Sequence, residues 1–180
     1  MNARSHQPLA ETSANTPAKT SALPPAQWLH KLRGDWVYET IPARQAHDDK
    51  SMNLRGVESV RSLGDLWVVC GGHSHVPGGG TTDTLMTLGF DPQRQRFVGT
   101  WTASAMPAVW ACEGDLDATQ QVLTLDSQGP CLYDPSRIAH YRDVIEWVGD
   151  DRRRLTSYRL DDDGHWAALM SSYYLRKTPS

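Results

Sequence analysis

Apolar and polar residues alternate with a period of two through most of the chain, and that period predicts strands rather than helices. The candidate strands are 35–41, 54–63, 66–75, 83–91, 96–104, 109–117, 122–127, 137–148, 152–160 and 166–176. Turn chemistry separates them. Gly64-Asp65, Asp91-Pro92-Gln93, Asp117-Ala118-Thr119-Gln120, Gly149-Asp150-Asp151 and Asp161-Asp162-Asp163-Gly164 each interrupt an apolar alternation with residues that favour tight turns. Short connections imply antiparallel neighbours, so ten strands in succession form a meander. An open meander leaves two unpaired edges, and closure into a barrel removes both. The expected fold is therefore all-β: a closed antiparallel up-and-down barrel of about ten strands.

One segment departs from the alternation. Residues 26–33 place Trp28, Leu29 and Leu32 on one helical face, after Pro24-Pro25 and before Gly34. This predicts a short N-terminal helix with a glycine stop. Residues 1–25 are polar and poor in large apolar side chains, which predicts a disordered tail. The barrel domain is then expected over 26–180.

Composition narrows the function classes. The chain has 180 residues and a formal net charge of -3. Its one basic cluster, Arg152-Arg153-Arg154, lies between Asp150-Asp151 and Asp161-Asp162-Asp163. With no basic face, nucleic acid is not an expected partner. No apolar run reaches membrane-spanning length and no apolar leader opens the chain, so neither a membrane partner nor secretion is expected. The three cysteines, Cys70, Cys112 and Cys131, lack CxxC spacing, which fits reduced thiols in the cytoplasm. The seven tryptophans, against two phenylalanines, suit either a packed barrel core or a cavity wall. No GxSxG, GxGxxG, Walker A or HExxH stretch occurs, so the commonest hydrolase and nucleotide signatures are missing.

Gly34-Asp35-Trp36 at the first strand and Arg176 in the last strand resemble the pattern of the calycin barrels, which include lipocalins and fatty-acid-binding proteins. The resemblance implies that Trp36 plugs the closed end of the barrel beneath Arg176. From Trp28 to Arg176 the chain is similar to an uncharacterised bacterial family, the domain of unknown function 1579. The similarity is carried by SVRSLGDLWVV, TLGFDPQRQRFVGTWTAS, VWACEGDLD and YRDVIEWV. It implies a lipocalin-like barrel and leaves the activity open, because a fold does not supply a function.

Several residues carry candidate chemistry. His73 and His75 share one strand face, so two imidazoles could hold one metal ion. Cys70 has the opposite parity, and Glu113 or His140 would have to complete the ligand set. The plainer reading is a solvated strand end running into Gly78-Gly79-Gly80. A haem would need one axial histidine, for which His73, His75, His140 and His165 are all eligible. In the strand around residue 141, one face carries His140 and Arg142 and the other Tyr141 and Asp143. An inward Arg142 beside His140 would suit an anionic head group, and an outward Arg142 would pair with a neighbouring acid. Trp101 sits among small residues and either lines a cavity or fills the core.

The leading expectation is a non-enzymatic module binding a small, partly apolar ligand, anionic if Arg142 faces inward, through Trp101, His140 and Arg142. No cofactor is expected. Glu113 with His140 would be the acid–base pair to test for catalysis. A metal or haem barrel is one alternative. The other is a filled barrel acting as an interaction protein, with a homodimer possible in principle.

Overall fold

The computed structural model describes residues 24–43, 54–132 and 134–178. The predicted tail lies almost wholly outside the described residues, as does the connection 44–53. A short helix α1 (Pro25–Leu29) continues as a 3-10 turn (His30–Leu32). Ten strands follow: β1 (Gly34–Pro42), β2 (Arg55–Leu63), β3 (Trp67–His75), β4 (Thr81–Asp91), β5 (Arg96–Ala103), β6 (Val109–Leu116), β7 (Val122–Pro130), β8 (Ile138–Gly149), β9 (Arg152–Leu160) and β10 (Trp166–Arg176). Each pairs antiparallel with its sequence neighbour, and β10 returns to β1, so the barrel is closed. The predicted strands match these within a few residues.

The helix is short because its surroundings end it. Pro25 occupies the first helical position, where a missing N–H is harmless. The Trp28 amide donates to the Pro24 carbonyl at 3.0 Å. At Gly34 the backbone takes φ +119°, a region open to glycine and rarely to other residues, and the chain turns there into β1. This lays Trp28, Leu29 and Leu32 across one end of the barrel, each at most 1% exposed.

That end is sealed by aromatic packing. Trp28 meets Phe97 edge-on at 5.8 Å and Trp147 at 6.5 Å, and Trp36 meets Trp147 at 6.1 Å. The Trp28 indole donates to the Gln120 carbonyl at 2.9 Å, tying the helix to the β6–β7 turn. Asp117 holds that turn by accepting from the Gln121 and Val122 amides. Val68, Leu88, Leu123 and Leu125 complete the core.

A second, smaller cluster stands at the opposite end. Trp110, Cys131, Ala139, Tyr141 and Leu169 form it, with Trp101 and Met170 packed against them. Gly129 makes room here: a Cβ at that position would lie 1.9 Å from the Trp110 indole nitrogen. A bulge between Ala168 and Met170 shifts the β9–β10 register, which allows consecutive residues to face the same side.

Candidate functional site

Side-chain alternation fixes what faces the barrel interior. Trp36, Tyr38 and Thr40 point inward from β1, Cys70, Gly72 and Ser74 from β3, and Asp143, Ile145 and Trp147 from β8. The register carries this parity around the sheet: Trp36 pairs with Glu58, Tyr141 with Arg159, Asp143 with Ser157 and Trp147 with Arg153.

Two polar groups stand on the inner wall. The first centres on Arg153, whose side chain is 5% exposed and donates to Glu58 across the barrel. Its guanidinium lies 3.9 Å from the Tyr174 ring centre and 4.7 Å from that of Trp36. Tyr38 stacks on Tyr174 at 4.9 Å. Burial raises the phenol pKa of both tyrosines, and the negative Glu58 adds to the rise. The Ser74 hydroxyl acts on Tyr38 in the opposite sense.

The second group centres on Asp143. Its carboxylate accepts from the Ser157 hydroxyl at 2.5 Å. Burial pushes the Asp143 pKa up, against the lowering effect of that hydrogen bond. Cys112 lies near enough to feel the Asp143 charge. Burial lifts the thiols of Cys70 and Cys112 to about 12, so both remain neutral and unreactive near neutral pH. No cysteine of the chain is in a disulfide.

Tyr38, Met86, Trp101, Ser127, Asp143 and Leu155 all face inward, yet each keeps accessible surface. At the closed end, by contrast, Trp36 and Val68 are fully buried. Two depressions are present. One of about 290 Å³ lies at the closed end beside Lys31, Trp147 and Arg176, and one of about 260 Å³ lies at the β4–β5 rim.

The residues singled out from the sequence divide sharply. Trp101 faces inward, edge-on to Trp110 at 5.5 Å. At the closed end the Arg176 guanidinium lies 4.1 Å from the Trp36 indole centre. Arg176 also donates to the Lys31 carbonyl at 2.9 Å, to the Arg33 carbonyl and to Asp151.

Arg142 and His140 correct the expectation of an inward head-group site. Both point outward, because the opposite parity of β8 supplies Ile145 and Trp147 to the core. Arg142 forms a fork with Asp126 at 2.7 and 2.9 Å and lies over the Trp166 ring. Glu113 is also external, held by Arg94 and Arg96, so Glu113 and His140 do not form an acid–base pair inside the barrel.

His73 and His75 stand on the outer face of β3 with ring centres 5.6 Å apart, and His73 is hydrogen-bonded to Asp83 at 2.6 Å. Among the described residues no three His, Cys, Asp or Glu side chains are grouped to hold a metal ion. His165 is exposed in the β9–β10 turn. None of these four histidines is placed to ligate a haem inside the barrel. After His75 the chain leaves the sheet, and Gly78, Gly79 and Gly80 take φ of 91°, 113° and 97°.

The residues that do line the interior, Glu58, Arg153, Asp143 and Ser157, were missed in the sequence. Their only signal was parity along β2, β8 and β9.

With this architecture established, the sequence can be placed. Residues 21–176 match the family described as "Protein of unknown function (DUF1579)". The chain belongs to this family. A comparison with curated proteins gave no match. Among solved structures, the chain shares its fold with an S-type phycobiliprotein lyase, CPES, of Guillardia theta. That likeness has 12% identity and a TM-score of 0.55 over 86% of this chain and 93% of that one. A de novo designed fluorescence-activating barrel gives 9% identity and a TM-score of 0.45 over 83% and 96%. A redesigned barrel, mFAP1, bound to DFHBI gives 11% and 0.43 over 84% and 97%. Among the described residues of this DUF1579 chain, no helix is long and apolar enough to cross a membrane.

Proposed function

We propose that this protein is a non-catalytic module that binds one small, partly apolar molecule inside its barrel. The observation that carries the reading is the accessible surface on inward-facing Tyr38, Met86, Trp101, Ser127, Asp143 and Leu155. Small antiparallel barrels are either packed with side chains or hold one small ligand, and the partly accessible inward side chains between the two packed clusters favour the second case. The lining mixes apolar walls with a few fixed polar groups, the usual make-up of small-molecule sites. The three free thiols support a reducing compartment such as the cytoplasm.

Native mass spectrometry of the protein as purified, compared with its denatured mass, tests the reading. The expected result is an excess mass that is lost on denaturation. Replacing Met86 by Trp fills the space and is expected to abolish the excess while the fold is kept. Equal native and denatured masses, together with no uptake of aromatic probes, would overturn the reading.

A further inference from the structure

We propose that His73 and His75 bind one late first-row divalent metal ion, Cu2+ most tightly, on the outer face of β3, with Asp83 as the residue that orients His73. The site lies outside the barrel and stands independently of the interior-binding reading.

The two imidazoles occupy alternate positions of one strand, so both leave the sheet on the same side. Their ring centres are 5.6 Å apart. Two rings that share an ion bind it at about 2.0–2.1 Å from a nitrogen of each, which brings their centres to within about 6.5 Å of one another. The backbone of β3 therefore already holds the pair at a chelating separation. Both rings are exposed, so an ion and its waters reach them without any opening of the barrel.

His73 is also oriented. The register sets it opposite Asp83 of β4, and its Nδ1 lies 2.6 Å from an Asp83 carboxylate oxygen. An ionised carboxylate only accepts, so Nδ1 carries the proton and Nε2 keeps the lone pair. A metal-ligating histidine almost always has such a partner on its other ring nitrogen, where it fixes the tautomer and raises the ligand's basicity. The remaining neighbours do not oppose a cation. Val57 of β2 pairs with His73 and Thr81 of β4 with His75. Arg55 of β2 pairs with His75, and its charge is met by Glu39 of β1 at 3.0 Å.

The ligand count selects the ion. Among the described residues no third His, Cys, Asp or Glu side chain is grouped with the pair to ligate. Two protein nitrogens then hold the ion and water fills its other positions. Zinc sites take three or four protein ligands. Cu2+ stands at the top of the affinity order for a given nitrogen site and accepts tetragonal nitrogen and oxygen coordination, so it is the ion that two imidazoles retain best.

The test titrates Cu2+, supplied as its glycine complex, into the full chain and into four variants at exposed positions, His73→Gln, His75→Gln, Asp83→Asn and His140→Gln. Calorimetry reads the affinity, electron paramagnetic resonance the nitrogen ligands, and near-ultraviolet circular dichroism the fold. The native chain should take one Cu2+ with two imidazole nitrogens in its spectrum. Asp83→Asn should keep both nitrogens and weaken binding by about 10–100-fold, the usual cost of losing an orienting partner. His73→Gln and His75→Gln should each weaken it further and remove one nitrogen, and His140→Gln, on β8, should change nothing. No uptake in competition with glycine, or binding of native strength in folded His73→Gln or His75→Gln, overturns the proposal. An Asp83→Asn variant that binds as tightly as the native chain overturns the orienting role of Asp83.

Discussion

Replacing Glu58 by Gln tests whether the base of the interior is dry. Arg153 and Glu58 have side chains 5% and 12% exposed, and Glu58 is the charge partner of a guanidinium enclosed by Trp36 and Tyr174. Breaking a buried pair by removing one partner typically destabilises by about 3–5 kcal/mol, because the remaining charge stays desolvated and uncompensated. The two ring contacts exist before and after the change, so they do not offset the loss. Gln keeps a hydrogen-bond acceptor, which sets the expectation at the lower end, about 3 kcal/mol. Urea unfolding followed by tryptophan fluorescence measures it. With a slope of about 1–3 kcal/mol per M, the midpoint should fall by roughly 1–3 M. Arg153→Met should show a comparable fall. The double variant Glu58→Gln/Arg153→Met should lose far less than the sum, since removing both charges avoids the orphan. Single variants within about 0.5 kcal/mol of the native protein, as surface positions usually are, would refute the argument. They would mean that water reaches the pair and that the hollow extends to the closed-end core.

Four further outcomes are expected. Gly129→Ala sets a Cβ 1.9 Å from the Trp110 indole nitrogen. The indole must move, and overpacking of this kind costs about 1–3 kcal/mol, read as a lower thermal midpoint with an altered near-ultraviolet spectrum. Arg176→Met removes two carbonyl contacts and the cation over Trp36, and a loss of about 2 kcal/mol is expected by chemical denaturation, as hydrogen bonds involving a charged group are worth about that much. Cys70 and Cys112, raised to about 12 by burial, should not react with Ellman's reagent at mildly alkaline pH until the protein is unfolded; prompt labelling of either would contradict their burial. The raised Asp143 carboxyl binds a proton more tightly folded than unfolded. Its contribution is therefore most favourable below about pH 4 and declines as pH climbs to the raised native value. Asp143→Asn should stabilise the empty protein near neutrality, with the gain vanishing in acid. Because Cys112, Tyr141 and Arg159 also face this region, the comparison is made between the two proteins across pH, and an unchanged difference at all pH values would refute the assignment.

Alternation and turn residues were enough to place all ten strands. Asp117-Ala118-Thr119-Gln120 or Asp161-Asp162-Asp163-Gly164 ends a strand whatever its partners, because the turn is closed by local hydrogen bonds. The placement of Arg176 over Trp36 was expected only from the resemblance to the calycin barrels, not from the alternation itself. The site was less legible. Along β8 both faces mix apolar with charged residues, so periodicity gave no direction to Arg142 or Asp143. The direction came from the barrel, whose register delivers Ile145 and Trp147 to the closed-end core and thereby turns Asp143 inward and Arg142 toward Asp126. Arg153 likewise sits in a run that reads as a solvated basic cluster, and its partner Glu58 lies 95 residues away. A strand fixes only which residues share a face. Which face is inside, and which charges meet across the interior, is set when the sheet closes and one end fills with side chains, and that is a property of the tertiary structure.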